Sequence, residues 1–271
     1  QSNGAERPYV THVTKEGSPV GSFYGISVAG MVKEKDIANV NADLSVYKAN
    51  GNKFPASYKL LGFPISTFSS TPLRAGDLYF KDLNGDNIIT DADKSIIGNA
   101  YPKFSYGFAL NLNYKIVDLS ASFNGTEGNT VIDGQDYYIR NMEGSGNLYT
   151  IVKQRYRNEA NPGNGKEYRA SRGGSQSNST RLSDYYLQDG SFFRCTNISL
   201  NVNLSSLSIF KKMKIGGITW SASVDNAFTI TEYFGYNPEV DFNNGSNLTP
   251  GVDYGKYPLV RSFNTGFKVQ F

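Results

Sequence analysis

The stretch Asp82 to Asp93, DLNGDNIITDAD, holds the residues whose types and spacing best fit a defined chemistry. Counting Asp82 as position 1, oxygen-bearing side chains fall at positions 1, 3, 5, 9 and 12 as Asp82, Asn84, Asp86, Thr90 and Asp93, with the Ile88 carbonyl available at position 7. Hard oxygen donors at this spacing make the loop of an EF-hand-type Ca²⁺ site. Two positions depart from the pattern. Position 6 is Asn87 where glycine is expected, although asparagine tolerates the left-handed backbone better than most residues. Position 12 is Asp93, one methylene shorter than the usual bidentate glutamate. The preceding GDLYFKD alternates like a strand, so the loop is expected without a flanking helix pair, and its cation is expected to be structural.

Other chemistry is narrowly bounded. The chain of 271 residues has one cysteine, Cys195, and one histidine, His12, so an internal disulfide and a Cys/His zinc site are both excluded. A nucleophile–base pair would have to use His12, and no spacing among the 24 acidic residues marks a glycosidase pair, so no catalytic residue is expected. Net charge is +3, and its one basic run, KKMK at 211–214, is short; neither nucleic acid nor an anionic surface is an expected partner. Aromatics in long polar segments, namely Tyr137, Tyr138 and Tyr149, and later Phe234 and Tyr236, are candidates for stacking on a sugar or peptide. Aromatics near strand ends also serve as interfacial anchors in membrane barrels.

The elements around these residues are strands. The chain ends RSFNTGFKVQF, with Phe263, Thr265, Phe267, Val269 and Phe271 on one parity and Asn264, Gly266, Lys268 and Gln270 on the other. The same alternation places Phe104, Tyr106, Phe108, Leu110 and Leu112 opposite Asn111 and Asn113. It likewise places Ile198, Leu200, Val202 and Leu204 opposite Ser199, Asn201 and Asn203, and Ile218, Trp220, Ala222 and Val224 opposite Thr219, Ser221 and Ser223. With Leu119, Ala121 and Phe123, and with the Gly-rich GSFYGISVAGMV, six strands are expected. No stretch approaches the roughly 20 apolar residues of a spanning helix, and mean hydropathy is −0.42, but a membrane β-barrel alternates and so averages to polar. The polar face is Asn, Ser, Thr and Gly with few Lys or Glu, which suits a wet lumen. Short and long connections alternate, as in barrels with short periplasmic turns and long extracellular loops. The connections from about 34 to 100, 127 to 189 and 227 to 258 fall on the long-loop, extracellular side.

Five segments occur in order: GSPVGSFYGISVAGM, GDLYFKDLNGDNIITDADKSIIGNAYPKFSYGF, DGSFFRCTNISLNV, NAFTITEYFGYNPEV and YPLVRSFNTGFKVQF. Together they resemble the C-terminal third of SusC/RagA-type TonB-dependent outer-membrane transporters. The resemblance implies an all-β fold, with residues 1–271 forming about six antiparallel strands of a plugged transmembrane β-barrel of roughly 22 strands. It implies localisation in the bacterial outer membrane and uptake of oligosaccharides or oligopeptides with a SusD-like surface lipoprotein. TonB would act through an N-terminal TonB box and plug domain that this sequence does not contain. The remainder of the barrel and outer-membrane lipid are further implied partners. Phe267 and the terminal Phe271 then belong to the signal that directs barrel assembly. The competing expectation is a secreted all-β glycan-binding module with a structural Ca²⁺.

Overall fold

A computed structural model of the chain describes residues 12–66, 72–144, 146–171, 178, 182–212, 216–240 and 249–270. The chain divides into two compact units. A wall unit comprises Tyr101–Val131, Gln188–Val240 and Gly255–Phe271, and a loop unit comprises Gln1–Ala100, Ile132–Leu187 and Asp241–Tyr254.

Five long strands build the wall unit: β1 (Phe104–Tyr114), β2 (Val117–Glu127), β3 (Phe192–Asn203), β4 (Gly217–Thr231) and β5 (Ser262–Gln270). They lie side by side in sequence order, every neighbour antiparallel. Their lengths, 9 to 15 residues, match or exceed the roughly 9–11 residues that a tilted strand needs to cross a bilayer. Because side chains alternate, register decides which residues share a face. Leu110, Ala121, Ile198, Val224 and Phe263 form one row across all five strands, and Asn111, Ser120, Ser199, Ser223 and Asn264 form the neighbouring row on the other face. The two faces separate as the alternation predicts. A bulge between Cys195 and Asn197 shifts the parity of β3, so Phe193 and Cys195 join the apolar face that Ile198 and Leu200 occupy below it.

The connections sort by length as expected. Lys115 and Ile116 alone link β1 to β2, with Lys115 in the left-handed region at φ 54°. Residues 204–216 link β3 to β4, whereas 128–191 and 232–261 are the long connections. Leu204, expected at the end of a strand, instead opens the 3-10 turn Leu204–Ser206, held by Asn203 Oδ1 accepting from the Ser205 amide at 3.0 Å.

The sixth expected strand is not in this sheet. GSFYGISVAGMV divides into two strands of four residues, Ser22–Gly25 and Val28–Met31, which pair with short strands of the loop unit, Ser95–Asn99 and Leu78–Phe80. Neither is long enough to cross a membrane. The reason is local: Phe23 and Ile26, an odd number of residues apart, are both fully buried, and register shifts occur at Phe23/Tyr24 and Val28/Gly30. Strict alternation therefore fails.

The loop unit gathers its core from distant segments. Phe23, Ile132, Leu182 and Val252 form one buried cluster, and Ile26, Leu78, Phe80, Ile89, Met142, Val152 and Tyr168 form another. It also contains helix α1 (Ile37–Ala49), which the strand alternation does not announce. Among the described residues no helix is long and apolar enough to cross a membrane.

Candidate functional site

The cation-loop candidates occupy one compact turn of the loop unit. Asp82 accepts from the Gly85 amide through Oδ1 and from the Asn87 amide through Oδ2, both at 2.7 Å. Asp86 accepts from the Ile88 amide at 2.8 Å and the Asn84 side-chain amide at 2.9 Å, and Asn84 Oδ1 accepts from the Asp86 amide at 2.9 Å. Asp93, fully buried, accepts from the Leu83 amide at 2.9 Å and the Thr90 amide at 2.7 Å. Thr90 Oγ1 accepts from the Ala92 amide at 3.1 Å and caps the 3-10 turn Asp91–Asp93.

Tested against Ca²⁺, the backbone fits. Asn87 at position 6 has φ 68°, the left-handed value that the motif needs, and Gly85 has φ 78°. Ile88 and Ile89 form a short parallel pairing with Ile65 and Ser66, and Ile89 is buried, so the loop rests on a fixed base. The carboxylates, however, turn to backbone amides, and among the described residues no group of three or more His, Cys, Asp or Glu side chains is gathered as a metal cluster.

The five aromatic candidates divide between the units. In the loop unit the Tyr137 ring meets Tyr138 edge-on at 5.2 Å and lies 6.1 Å from Tyr186; Tyr138 is exposed. Tyr149 caps the 3-10 turn Thr150–Gln154, its amide donating to the Ile139 carbonyl at 2.9 Å. Phe234 and Tyr236 belong to the wall unit and are exposed. Their segment is pinned to β3 by Arg194, whose guanidinium donates to Asn237 Oδ1 and Thr229 Oγ1 at 3.0 Å each and pairs with Glu239.

Sequence reasoning missed the network beneath Tyr137 and Tyr138. Arg140 donates to Asp136 at 2.7 Å and Glu167 at 2.6 Å, Tyr185 donates to Glu167 at 2.7 Å, and the guanidinium stacks 4.8 Å from the Tyr185 ring. Burial pushes the Tyr185 hydroxyl well above its ordinary range; burial opposes the charge on Arg140, but Tyr185, Asp136 and Glu167 together outweigh it and raise the guanidinium's pKa. The Asp136–Arg140 spacing of i, i+4 was the one legible signal. His12 Nε2 donates to the Pro250 carbonyl at 3.0 Å, beside the Phe23 ring; burial lowers its pKa.

On the wall unit's apolar face, Tyr106, Phe108, Phe123, Phe193 and Phe228 form a connected aromatic group with centroid distances of 4.8 to 6.5 Å. Phe267 lies on the same face opposite Trp220 and is exposed. Phe271 lies outside the described residues. The opposite face is a polar hydrogen-bonding surface: Ser120 and Ser199 hydroxyls meet at 2.7 Å, Asn113 donates to Asp118 at 2.7 Å, and Asn197 and Asn264 donate to Asp225 at 2.7 and 3.0 Å.

Strands of spanning length, one face apolar and aromatic-rich, the other small and polar, with short turns at one end and long connections at the other, define the wall of an outer-membrane β-barrel. Comparison with known proteins agrees. The chain is 29% identical to TonB-dependent receptor P3 of Formosa agariphila over 265 residues, covering 96% of this chain and 23% of that protein. It is also 29% identical to TonB-dependent receptor SusC of Bacteroides thetaiotaomicron over 193 residues, 71% of this chain and 17% of that one. The solved structure of the RagAB peptide transporter superposes with a TM-score of 0.66 at 18% identity, covering 97% of this chain and 24% of that chain. No family model matches. The chain is therefore similar in sequence to TonB-dependent receptors and shares the fold of an outer-membrane β-barrel of that kind, and it spans about a quarter of the length of the receptor P3 it matches. These relatives are receptors and transporters rather than enzymes.

Proposed function

We propose that the chain is the C-terminal part of the barrel of an outer-membrane nutrient importer. The observation that carries this reading is the five-stranded wall with segregated faces, within a chain similar over nearly its whole length to TonB-dependent receptors. In this reading the apolar face meets lipid and the Asn/Ser face meets the lumen. The free edges of β1 and β5 pair with the remainder of the same barrel, since unpaired strand edges do not persist in lipid. TonB engages residues outside this sequence, and a SusD-like lipoprotein closes over the long connections. The cargo is an oligosaccharide or an oligopeptide, with Tyr137, Tyr138, Tyr149, Phe234 and Tyr236 as candidate contacts.

The test is deletion of the gene followed by uptake of labelled glycan and peptide panels. Loss of uptake of one class, restored by the intact gene and not by one lacking its TonB contact, supports import. Unchanged uptake of every panel, or recovery of the intact protein from buffer without detergent, would instead favour the secreted glycan-binding module.

The Asp82–Asp93 loop, in the same reading, binds a structural Ca²⁺ through Asp82, Asn84, Asp86, the Ile88 carbonyl, Thr90 and Asp93. The left-handed Asn87 supports this. Chelation of Ca²⁺ should speed hydrogen exchange across residues 82–93, and Asp86→Asn should make exchange insensitive to Ca²⁺. Exchange that ignores chelator in the unsubstituted protein would show that the loop is closed by its amides alone.

A further inference from the structure

The loop unit holds a cleft of about 500 Å³, a size that suits a small ligand. It involves neither the cation loop nor the five aromatic candidates. One wall is the backbone of residues 31–33, where the Val32 amide donates to the Asp77 carbonyl at 2.9 Å and its carbonyl accepts from the Gly76 amide at 2.7 Å. The other wall is the turn that begins at Tyr156, whose amide donates to the Glu167 carbonyl at 3.0 Å; the Asn164 amide donates to the Gln154 carbonyl at 2.9 Å. Two glycines make the walls fit. A Cβ at Gly76, φ 87°, would stand 2.3 Å from the Tyr156 ring, and one at Gly163, φ 72°, would stand 2.1 Å from the Gln154 carbonyl oxygen. The cleft is thus set by backbone hydrogen bonds and needs no rearrangement to form.

Its lining has a definite chemistry. Met31, Val32, Tyr156 and Pro162 give an apolar floor, and Lys33 and Glu159, one from each of the two lining segments, supply one charge of each sign. Both charged residues are exposed, and neither takes part in an ion pair among the described residues. Tyr156 is only 6% exposed, and its hydroxyl has no hydrogen-bond partner among them. Burial, with the nearby Glu34 and Glu159 carboxylates, pushes the hydroxyl pKa up, so it remains a neutral donor at physiological pH.

We propose that this cleft is a subsite for a short peptide: Glu159 holds the ammonium end, Lys33 the carboxylate end, and an apolar side chain lies on the floor against Tyr156. A free cation and a free anion across an apolar floor complement a zwitterion with a hydrophobic side chain. A sugar ring would bring several hydroxyls to a floor of apolar side chains. The proposal rests on the import reading and narrows its cargo to peptide.

The experiment is calorimetric titration of the full receptor, purified in detergent, with trileucine, its N-acetyl and C-amide forms, and maltotriose. Trileucine binds and maltotriose does not. Glu159→Gln weakens trileucine by about tenfold, the effect of losing one charge-assisted contact, yet leaves the N-acetyl form unchanged. Lys33→Met does the same for trileucine and leaves the C-amide form unchanged. Both substitutions are at exposed positions and spare the fold. Equal affinity of the unsubstituted and substituted receptors, or binding of maltotriose alone, overturns the assignment. Either result leaves the import reading standing if gene deletion abolishes uptake; uptake that survives deletion removes the import reading itself.

Discussion

Asp43 is fully buried on α1 and accepts three hydrogen bonds, from the Tyr58 hydroxyl at 2.8 Å and from the Leu61 and Gly62 amides at 3.1 and 2.7 Å. One carboxylate thus fixes the segment that follows the helix. Asp43→Ala strands these donors, at a cost of about 1–3 kcal/mol for each one left buried, and should sharply raise proteolysis between residues 50 and 66; an unchanged cleavage pattern would count against this role. Asp133 behaves differently. Its carboxyl is pushed up from 3.8 to about 6, first by burial and then by the Asp136 carboxylate. The folded chain therefore holds this proton more tightly than the unfolded chain does. Its contribution to stability is full below pH 3.8 and declines as pH rises through about 6, in total by on the order of 3 kcal/mol. Asp133→Asn should flatten that slope in hydrogen exchange at residues 130–136, measured between pH 4 and 7.

At the scale of the element, the wall strands predict their own orientation. With the single cysteine Cys195 buried and silent, Asn111→Cys should react with a membrane-impermeant thiol reagent applied to the reconstituted receptor, and Leu110→Cys should not; the reverse pattern would invert every face, since one residue of slip exchanges them. These strands were legible because each buries or presents one face over nine or more residues, long enough for period two to stand out. The four-residue strands around Phe23 and Ile26 were not, because both of those side chains point into a core from a bulged backbone. Helix α1 was hidden by Asp43: a charge in the middle of the buried stripe, between Val40 and Tyr47, breaks the apolar period that would mark it. The left-handed turn at Asn87 could be read from the motif. The Lys33–Tyr156–Glu159 cleft could not, since its walls are far apart in sequence and carry no spacing rule.

For the molecule as a whole, assembly and transport should separate. Phe267 is 68% exposed on the apolar face of the last strand, where it meets no core. Phe267→Asp, and independently deletion of Phe271, should lower the amount of receptor recovered in the outer membrane while uptake per inserted molecule stays constant. A normal amount of inserted protein would sink the assembly role. The loop unit adds a constraint of another kind. Its cluster of Phe23, Ile132, Leu182 and Val252 draws on three stretches that the chain delivers in turn, each separated from the next by a pair of wall strands. Closing such loops is entropically costly and slow. As the chain emerges, the cluster around Phe23 stays incomplete until β1 to β4 have been made and Val252 arrives. The interval between synthesis and that closure is a window in which the unfinished unit invites proteases and chaperones, so its completion times the moment at which the receptor becomes resistant to both.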